Sequence, residues 1–194
     1  MMKFLAFVDL HGSGTAFKDI DEKSKDANFI VCAGDFTLFE NNIKTWMDRI
    51  AALKKKVFIL HGNHENASVV RKLCENYSNM VFMHKKVIVH DNISIVGWGG
   101  GGFNERDGEF EAWAEKNTGK DDKIMLVAHA PFFNTALDMI GKEHMGNKSF
   151  RKFLLTHDAI IGICGHFHEN AGKSDVIGKC KVYNPGPSGI ILEI

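Results

Sequence analysis

The 194-residue sequence has no excess of charge of either sign, because 24 Lys and Arg residues balance 24 Asp and Glu residues. A neutral chain has no long-range field that would attract nucleic acid or an anionic membrane. We therefore do not expect nucleic acid as a partner. The longest basic run, residues 54–56, lies between a helix pattern and a strand pattern. We interpret this run as a solvated helix end.

Long hydrophobic runs and paired-cysteine motifs are absent as well. No stretch approaches the ~18 apolar residues of a membrane-spanning helix. The apolar start of the chain is too short for a signal peptide and has no small-residue cleavage site. None of the four cysteines, Cys32, Cys74, Cys164 and Cys180, forms a CxxC pair, which argues against a zinc ribbon or a redox dithiol. We expect a reduced, cytoplasmic protein with no membrane association.

No linker, low-complexity tract or internal repeat divides the chain. Its length suits one domain with a sizeable core. The content of 44% hydrophobic and 25% charged residues is typical of globular proteins. We predict a single domain over residues 1–194, and we make no prediction of its oligomeric state.

Strand and helix patterns alternate in the first half of the chain. The predicted strands span residues 3–9, 28–33 and 56–61, and the predicted helices end near residue 25, span about 40–54 and lie near 67–76. This βαβαβ order predicts parallel strands with right-handed crossovers.

The pattern changes at Met80. The predicted strands there are 81–83, 86–90, 93–97, 123–128 and 159–164, and the predicted helices lie near 108–117 and 148–156. Asp91 and Asn92 predict a hairpin turn between the second and third of these strands. We expect antiparallel β structure at the C-terminus.

Five of the apolar runs end in residues of metal-ligand type. These residues are Asp9 and His11, Asp35, Asn63 and His64, His129, and His166 and His168. Apolar, β-branched runs of this length predict buried strands, and the chemistry of open α/β sheets lies beyond the carboxyl ends of the strands. We therefore expect one shared site. The i, i+2 spacing of the first and last pairs would point both side chains the same way in extended backbone.

The mixture of ligand types indicates a centre with two metal ions. Seven groups are too many for one four-coordinate zinc ion, but they suit two octahedral-type ions that share a carboxylate. Imidazole and carboxylate fit Mn, Fe, Zn, Co or Ni, and the amide of Asn63 favours the harder ions, so Mn²⁺ is our first expectation. Since only Asp9 and Asp35 carry negative charge, two divalent ions would leave a net positive site that attracts an anion such as a phosphate ester.

These blocks resemble the motif set of calcineurin-like metallophosphoesterases, and most closely the small prokaryotic phosphodiesterase-type members. The matching blocks, in order over residues 3–168, are Asp9-x-His11, Gly34-Asp35, Gly62-Asn63-His64-Glu65, His129 and Gly165-His166-x-His168. The resemblance implies an α/β (α+β) fold, a four-layer αββα sandwich of two mixed β-sheets flanked by helices. It also implies a hydrolase in which hydroxide held by two divalent metal ions attacks a small-molecule phosphate ester.

The resemblance also implies a role for each candidate residue. The first metal would be held by Asp9, His11, Asp35 and His168, and the second by Asp35, Asn63, His129 and His166, with Asp35 bridging. His64 would donate a proton to the leaving oxygen, which is general acid catalysis worth about 10²–10⁴ in rate. Glu65 stands where the family often has Asp, and a role in orienting His64 stays open.

Several neighbours of the motifs have two interpretations. Trp98 and the glycines at 99–102 suit either a flexible lid or substrate wall, or a tight loop that needs positive φ. Arg106 follows this loop and is a candidate phosphate contact. His61 ends an apolar run and faces away from Asn63, so we predict a packed histidine that supports the site.

Three functions are compatible with these residues. We favour phosphodiester over monoester hydrolysis, because a monoester dianion would benefit from basic contacts and the motif blocks contain no Arg or Lys. A non-catalytic interaction scaffold of the same fold, like the retromer cargo-complex subunit, is the second hypothesis, and the complete ligand set argues against it. A nuclease resembling the double-strand-break repair exonuclease is the third, and the neutral charge and short chain disfavour it.

Overall fold

A computed structural model describes residues 2–119 and 123–194. Within these residues the chain forms two large mixed β-sheets that pack face to face, with helices on both outer faces. The predicted α/β class and four-layer αββα sandwich are therefore confirmed.

The elements are labelled in chain order. The first half contains β1 (Lys3–Phe7), α1 (Gly14–Ser24), β2 (Phe29–Cys32), α2 (Ile43–Ala51), β3 (Lys56–Ile59), α3 (Ala67–Cys74), β4 (Met80–Phe82), β5 (Lys86–His90) and β6 (Ile93–Trp98). The second half contains α4 (Gly108–Asn117), β7 (Ile124–Ala128), β8 (Met139–Ile140), β9 (Glu143–His144), α5 (Lys148–Thr156), β10 (Ala159–Ile163), a 3₁₀ turn (His168–Asn170), β11 (Ser174–Ile177), β12 (Cys180–Tyr183) and β13 (Ile190–Glu193).

The first sheet has the strand order β13-β1-β2-β3-β4. The strands β1 to β4 are parallel, as the strand–helix alternation predicted, and β13 adds antiparallel to β1. Helices α1, α2 and α3 cover the outer face because each has an apolar stripe. Ile20, Ile50 and Val70, one from each helix, pack in one buried cluster with Ile30 and Ile59 of the sheet.

The second sheet has the strand order β11-β12-β10-β7-β6-β5. Its central pairs are parallel, and antiparallel strands lie at both edges. Phe110 of α4 and Phe150 of α5, with ring centroids 4.8 Å apart, pack on its outer face. The antiparallel β structure expected at the C-terminus is confirmed by the pairs β11–β12 and β1–β13, and β12 also pairs parallel with β10.

An apolar layer between the two sheets joins them. Phe29 is its central aromatic residue, with ring centroids 5.1 Å from Phe4 and 5.7 Å from Phe58. Met125 and Ile161 of the second sheet belong to the same cluster. The packing of this layer therefore sets how the loops of the first sheet lie relative to the loops of the second sheet.

Left-handed backbone explains where the predicted boundaries are wrong. The helix predicted at about 40–54 spans only Ile43–Ala51, and Asn42 and Lys54 just beyond it have φ of 53° and 57°. The Asp91-Asn92 turn is confirmed, with φ of 46° and 65° in the hairpin of β5 and β6. The two-residue strands β8 and β9 are too short for a periodic pattern to predict.

The helices are short, and the longest of those described, α1, has 11 residues. No helix in the described part of the chain has the length and apolar character needed to cross a membrane. The four cysteines are buried as free thiols.

We expect Phe29→Ala to lower the free energy of unfolding by about 3–5 kcal/mol, because the substitution leaves a cavity between the sheets. Urea unfolding followed by fluorescence would measure the change. The control is Leu155→Ala, whose side chain is 53% exposed on α5 and should change stability by less than about 0.5 kcal/mol. Equal effects of the two substitutions would contradict the assignment of the inter-sheet core.

Candidate metal centre

Five loops at the carboxyl ends of β1, β2, β3, β7 and β10 carry the predicted site residues. Among the described residues, three groups of side chains have potential ligand atoms within 4.8 Å of one another. These groups are Asp9, His11 and His168; His11, Asp35 and His64; and Asp35, His129 and His166. Asp35 belongs to two of the three groups, so its carboxylate lies between the other side chains.

The carboxylate of Asp35 is buried and faces three imidazoles. Its Oδ2 lies 3.3 Å from Nε2 of His129, 3.8 Å from Nε2 of His64 and 3.9 Å from Nε2 of His11. Its Oδ1 accepts a hydrogen bond of 2.9 Å from the backbone N–H of His64. One oxygen is therefore fixed by the backbone, and the other is directed into the cluster.

Asn63 joins the same cluster through its side-chain oxygen. Its Oδ1 lies 2.8 Å from Nδ1 of His166 and 3.0 Å from Nε2 of His129. The other ring nitrogen of His129, Nδ1, lies 3.0 Å from the carbonyl of Ala33. Since a carbonyl only accepts hydrogen bonds, Nδ1 carries a proton, and Nε2 is the ring nitrogen directed at the oxygens of Asn63 and Asp35.

The arrangement of ligand atoms suits a cation between them. Nδ1 of His11 lies 3.2 Å from the carbonyl of Thr37, so its Nε2 presents a lone pair to Nε2 of His168 at 2.9 Å. Oδ1 of Asp9 is buried without a hydrogen-bond partner. Lone pairs that converge in this way repel one another unless a proton or a metal ion lies between them. The residues therefore fit divalent metal ions.

Burial controls the protonation of the cluster. Burial raises the pKa of Asp9 to about 6, although the charge of His129 opposes the shift. Burial also lowers the pKa of His166 to about 4 and lowers that of His11. For Asp35, burial acts to raise the pKa, but the hydrogen bond and charge of His129 outweigh it, and the pKa is lowered. Ionised Asp35 and neutral imidazoles are the forms that bind metals.

Four of the candidate ligands have left-handed backbone. The φ angles are 55° at Asp9, 45° at His11, 50° at Asp35 and 71° at His166. The expectation that each i, i+2 pair lies in extended backbone is therefore wrong, and sharp turns bring the side chains together instead. Such conformations cost on the order of 1–3 kcal/mol at a non-glycine residue and concentrate at functional sites.

Glu65 connects two of the loops, and the hydrogen-bond partners of its carboxylate are groups other than the imidazole of His64. Its Oε2 accepts hydrogen bonds from the backbone N–H groups of Asp35 and Gly62, both at 3.0 Å. Its Oε1 accepts from the N–H and the hydroxyl of Thr37, at 2.8 and 2.7 Å. The role in orienting His64 that the sequence left open falls instead to another residue.

Phe39 contacts the imidazole of His64 through both its backbone and its ring. The backbone N–H of Phe39 donates to Nδ1 of His64 at 3.4 Å, and the two ring centroids are 4.3 Å apart. Because Nδ1 accepts a hydrogen bond, the proton of neutral His64 resides on Nε2, the nitrogen that faces Asp35. Nε2 is therefore the ring nitrogen that faces the centre.

The glycines at 99–102 form a tight loop at the border of the centre. Gly100 and Gly101 have φ of 73° and 86°, and a Cβ on Gly99 would lie 2.5 Å from Nδ1 of His61. A Cβ on Gly102 would lie 3.6 Å from Nε2 of His166. His61 is buried, which lowers its pKa to about 3. The prediction of a packed His61 is confirmed.

Arg106 does not join the cluster. Its side chain is exposed. The charge of Arg106 acts instead on two glutamates, Glu105 and Glu111. Hydrogen bonds from lysine and serine side chains lower the pKa values of these glutamates, and the positive charge of Arg106 lowers them further. In residues 2–119 and 123–194, no hydrogen bond or ion pair connects Arg106 with the seven candidate ligands.

Two residues that contact the centre, Thr37 and Phe39, were not predicted from the sequence. Neither lies in a ligand block, and their roles depend on backbone groups.

Comparisons with known sequences agree with the motif assignment. A family model described as calcineurin-like phosphoesterase matches residues 2–170. The uncharacterized protein MJ1162 of Methanocaldococcus jannaschii is 32% identical over 98% of this chain and 91% of its own length. The probable glycerophosphodiester phosphodiesterase GpdQ of Arcobacter nitrofigilis is 23% identical over 83% of this chain and 64% of its own length.

Comparisons with solved structures agree with the fold. The protein TT1561 of Thermus thermophilus has a TM-score of 0.76 at 14% identity, and the match covers 96% of this chain and 90% of that one. A dimetal phosphatase from Danio rerio has a TM-score of 0.65 at 12% identity, with 93% and 86% covered. At these identities the likeness extends to the fold alone.

We expect Glu65→Gln to lower the free energy of unfolding by about 2–5 kcal/mol and to weaken Mn²⁺ binding. The amide keeps the size of Glu65 but loses the charge and directs N–H groups at backbone donors. Urea unfolding and calorimetric Mn²⁺ titration would measure both effects. The control is Glu143→Gln on exposed β9. If Glu65→Gln matched this control in both measurements, Glu65 would not hold the loops.

Proposed function

The chain belongs to the calcineurin-like phosphoesterase family, and from this we propose that it is a dinuclear-metal-dependent phosphodiesterase. The observation that supports the proposal most directly is the position of Asp35. Its Oδ2 lies within 4 Å of imidazole nitrogens from three loops, and it belongs to two separate ligand groups. A carboxylate shared in this way suits a bridge between two ions.

The family resemblance assigns the candidate residues to two ligand sets. The first ion would be held by Asp9, His11, Asp35 and His168, and the second by Asp35, Asn63, His129 and His166. The mixture of imidazole nitrogen with carboxylate and amide oxygen favours Mn²⁺, with Fe, Ni, Co and Zn as alternatives. When bound, the ions would neutralise charge on the phosphate oxygens and make a water between them acidic enough to serve as a nucleophile.

His64 is the proton donor in this proposal. As the oxygen of water bonds to phosphorus, the bond from phosphorus to the leaving oxygen breaks, and that oxygen needs a proton to leave as an alcohol. Nε2 of His64 faces the centre, 3.8 Å from Oδ2 of Asp35, and the imidazolium form of His64 would pass its Nε2 proton to the leaving oxygen and return to neutral imidazole.

The charges around the centre favour diesters over monoesters. In the part of the chain that the structure describes, no hydrogen bond or ion pair joins a Lys or Arg side chain to the candidate ligands. A diester carries one negative charge and a monoester up to two, so the monoester would gain more from basic contacts that are missing here. The relative from Arcobacter nitrofigilis named as a probable glycerophosphodiester phosphodiesterase adds support for this preference.

We expect metal-stripped protein to regain hydrolysis of bis(4-nitrophenyl) phosphate when Mn²⁺ is added, with slower turnover of 4-nitrophenyl phosphate. Asp35→Asn should lose nearly all of this activity, because the amide cannot supply the bridging charge. The matched control is Asp26→Asn at an exposed position, which should keep the activity. Folded protein that turns over neither substrate with Mn²⁺, Fe²⁺, Ni²⁺, Co²⁺ or Zn²⁺ would favour the scaffold hypothesis.

We expect His64→Ala to slow hydrolysis of an alkyl diester by about 10²–10⁴, and to slow a 4-nitrophenyl diester much less. The difference arises because nitrophenolate is a stable anion that leaves without a proton, whereas an alkoxide needs a proton to leave. Mn²⁺ affinity should stay close to that of the unmodified protein, since His64 is outside both ligand sets. Full activity of His64→Ala on the alkyl diester would show that another group donates the proton.

A further inference from the structure

Two exposed aromatic side chains lie against histidines of the candidate metal centre. Phe39 is 76% exposed, and its ring centroid lies 4.3 Å from that of His64. Phe103 is 62% exposed, and its ring centroid lies 5.2 Å from that of His166. Large exposed apolar side chains that border a polar cleft are typical of ligand-binding surfaces.

The backbone around Phe39 keeps its ring exposed. Phe39 and Glu40 have φ of 50° and 61°, which is a costly conformation for residues with bulky side chains. The carboxylate of Glu40 accepts a 2.7 Å hydrogen bond from the N–H of Asn66, which anchors the segment to the start of α3. The loop is therefore held in a strained shape that leaves a phenyl ring in solvent beside His64.

Phe103 is supported from one side by a buried ring. It lies directly after the tight glycine loop, and its ring is nearly parallel to that of Phe167, at 30° and 5.5 Å between centroids. Phe167 is 3% exposed and separates His166 from His168 in the chain. Phe167 therefore fixes the ring of Phe103 beside the centre, while most of its surface stays open.

We propose that Phe39 and Phe103 are the walls of the substrate site and select phosphodiesters that carry a flat aromatic group, such as a nucleobase or an aryl ring. The inference rests on the proposed function. Phe39 lies on the proton donor and so contacts the leaving group, whereas Phe103 lies on a candidate metal ligand and contacts the retained group. A diester has two organic substituents, one for each ring. Stacking on exposed phenyl faces favours flat aromatic groups over alkyl chains.

Three substrates with the same leaving group test the role of Phe103. These are the 4-nitrophenyl phosphate diesters of thymidine, phenol and ethanol, assayed with Mn²⁺-loaded protein. We expect kcat/KM for the thymidine and phenyl diesters to exceed that for the ethyl diester by about tenfold. Phe103→Leu should abolish this preference, mainly through KM, and Phe103→Tyr should keep it. A preference for only one aromatic diester would identify whether a nucleobase or an aryl ring is recognised.

Diesters with different leaving groups test the role of Phe39. Phenol and a fluorinated alcohol of matching acidity depend equally on proton donation by His64 when they leave, but only phenol has an aromatic ring. Phe39→Leu should remove the preference for the phenyl leaving group and leave the hydrogen bond from its backbone N–H to His64 in place. The control for both variants is Leu155→Ala, which is exposed on α5, on the other face of the second sheet.

A binding measurement separates failure of this inference from failure of the proposed function. Calorimetric titration of Mn²⁺-loaded protein with diphenyl and diethyl phosphate requires no turnover, and we expect about tenfold tighter binding of the diphenyl diester. The inference would be overturned if hydrolysis depended on Asp35 but the substrate preferences stayed the same in Phe39→Leu and Phe103→Leu. The phosphodiesterase assignment would then still stand. Equal affinity for the two diesters without hydrolysis of any substrate would overturn both.

Discussion

The carboxylate of Glu65 is the contact on which the geometry of the candidate centre depends. It binds the backbone on both sides of Phe36, at Asp35 and Thr37, and also the N–H of Gly62 in the next loop. These loops approach closely enough that a Cβ on Gly34 would lie 2.5 Å from the nitrogen of Gly62. Because backbone packs on backbone there, Asp35 has little freedom to turn its carboxylate away from the imidazoles.

The centre lies across the junction of the two sheets. Asp9, Asp35 and Asn63 follow strands of the first sheet, while His129 and His166 follow strands of the second. The contacts that bridge this junction include those from His129 to the carbonyl of Ala33 and from the N–H of His166 to the carboxylate of Asp9. The packing of aromatic and aliphatic side chains between the sheets thus sets the distance between the two halves of the ligand set.

The sequence predicts the strands and the clustering of ligand blocks well, because both follow from local signals. A buried strand needs only a short apolar run, and the carboxyl ends of parallel strands must meet at one edge. The left-handed backbone at Asp9 and His11 was not predictable, since neither residue type requires it. The partners of Glu65 and the exposure of Phe39 depend on contacts between distant segments, which no periodicity records. The hairpin of β8 and β9 is likewise too brief to leave a pattern.

The left-handed residues of the centre also limit how far the thermal stability of this protein can be raised by substitution. Non-glycine side chains at positive φ forgo stability that glycine would return at the same positions. Relief of this backbone strain at Asp9, His11, Asp35 or His166 would therefore remove a candidate ligand. Thermostability and chemistry compete at the same four positions, so directed evolution of this scaffold has to select for turnover and endurance together.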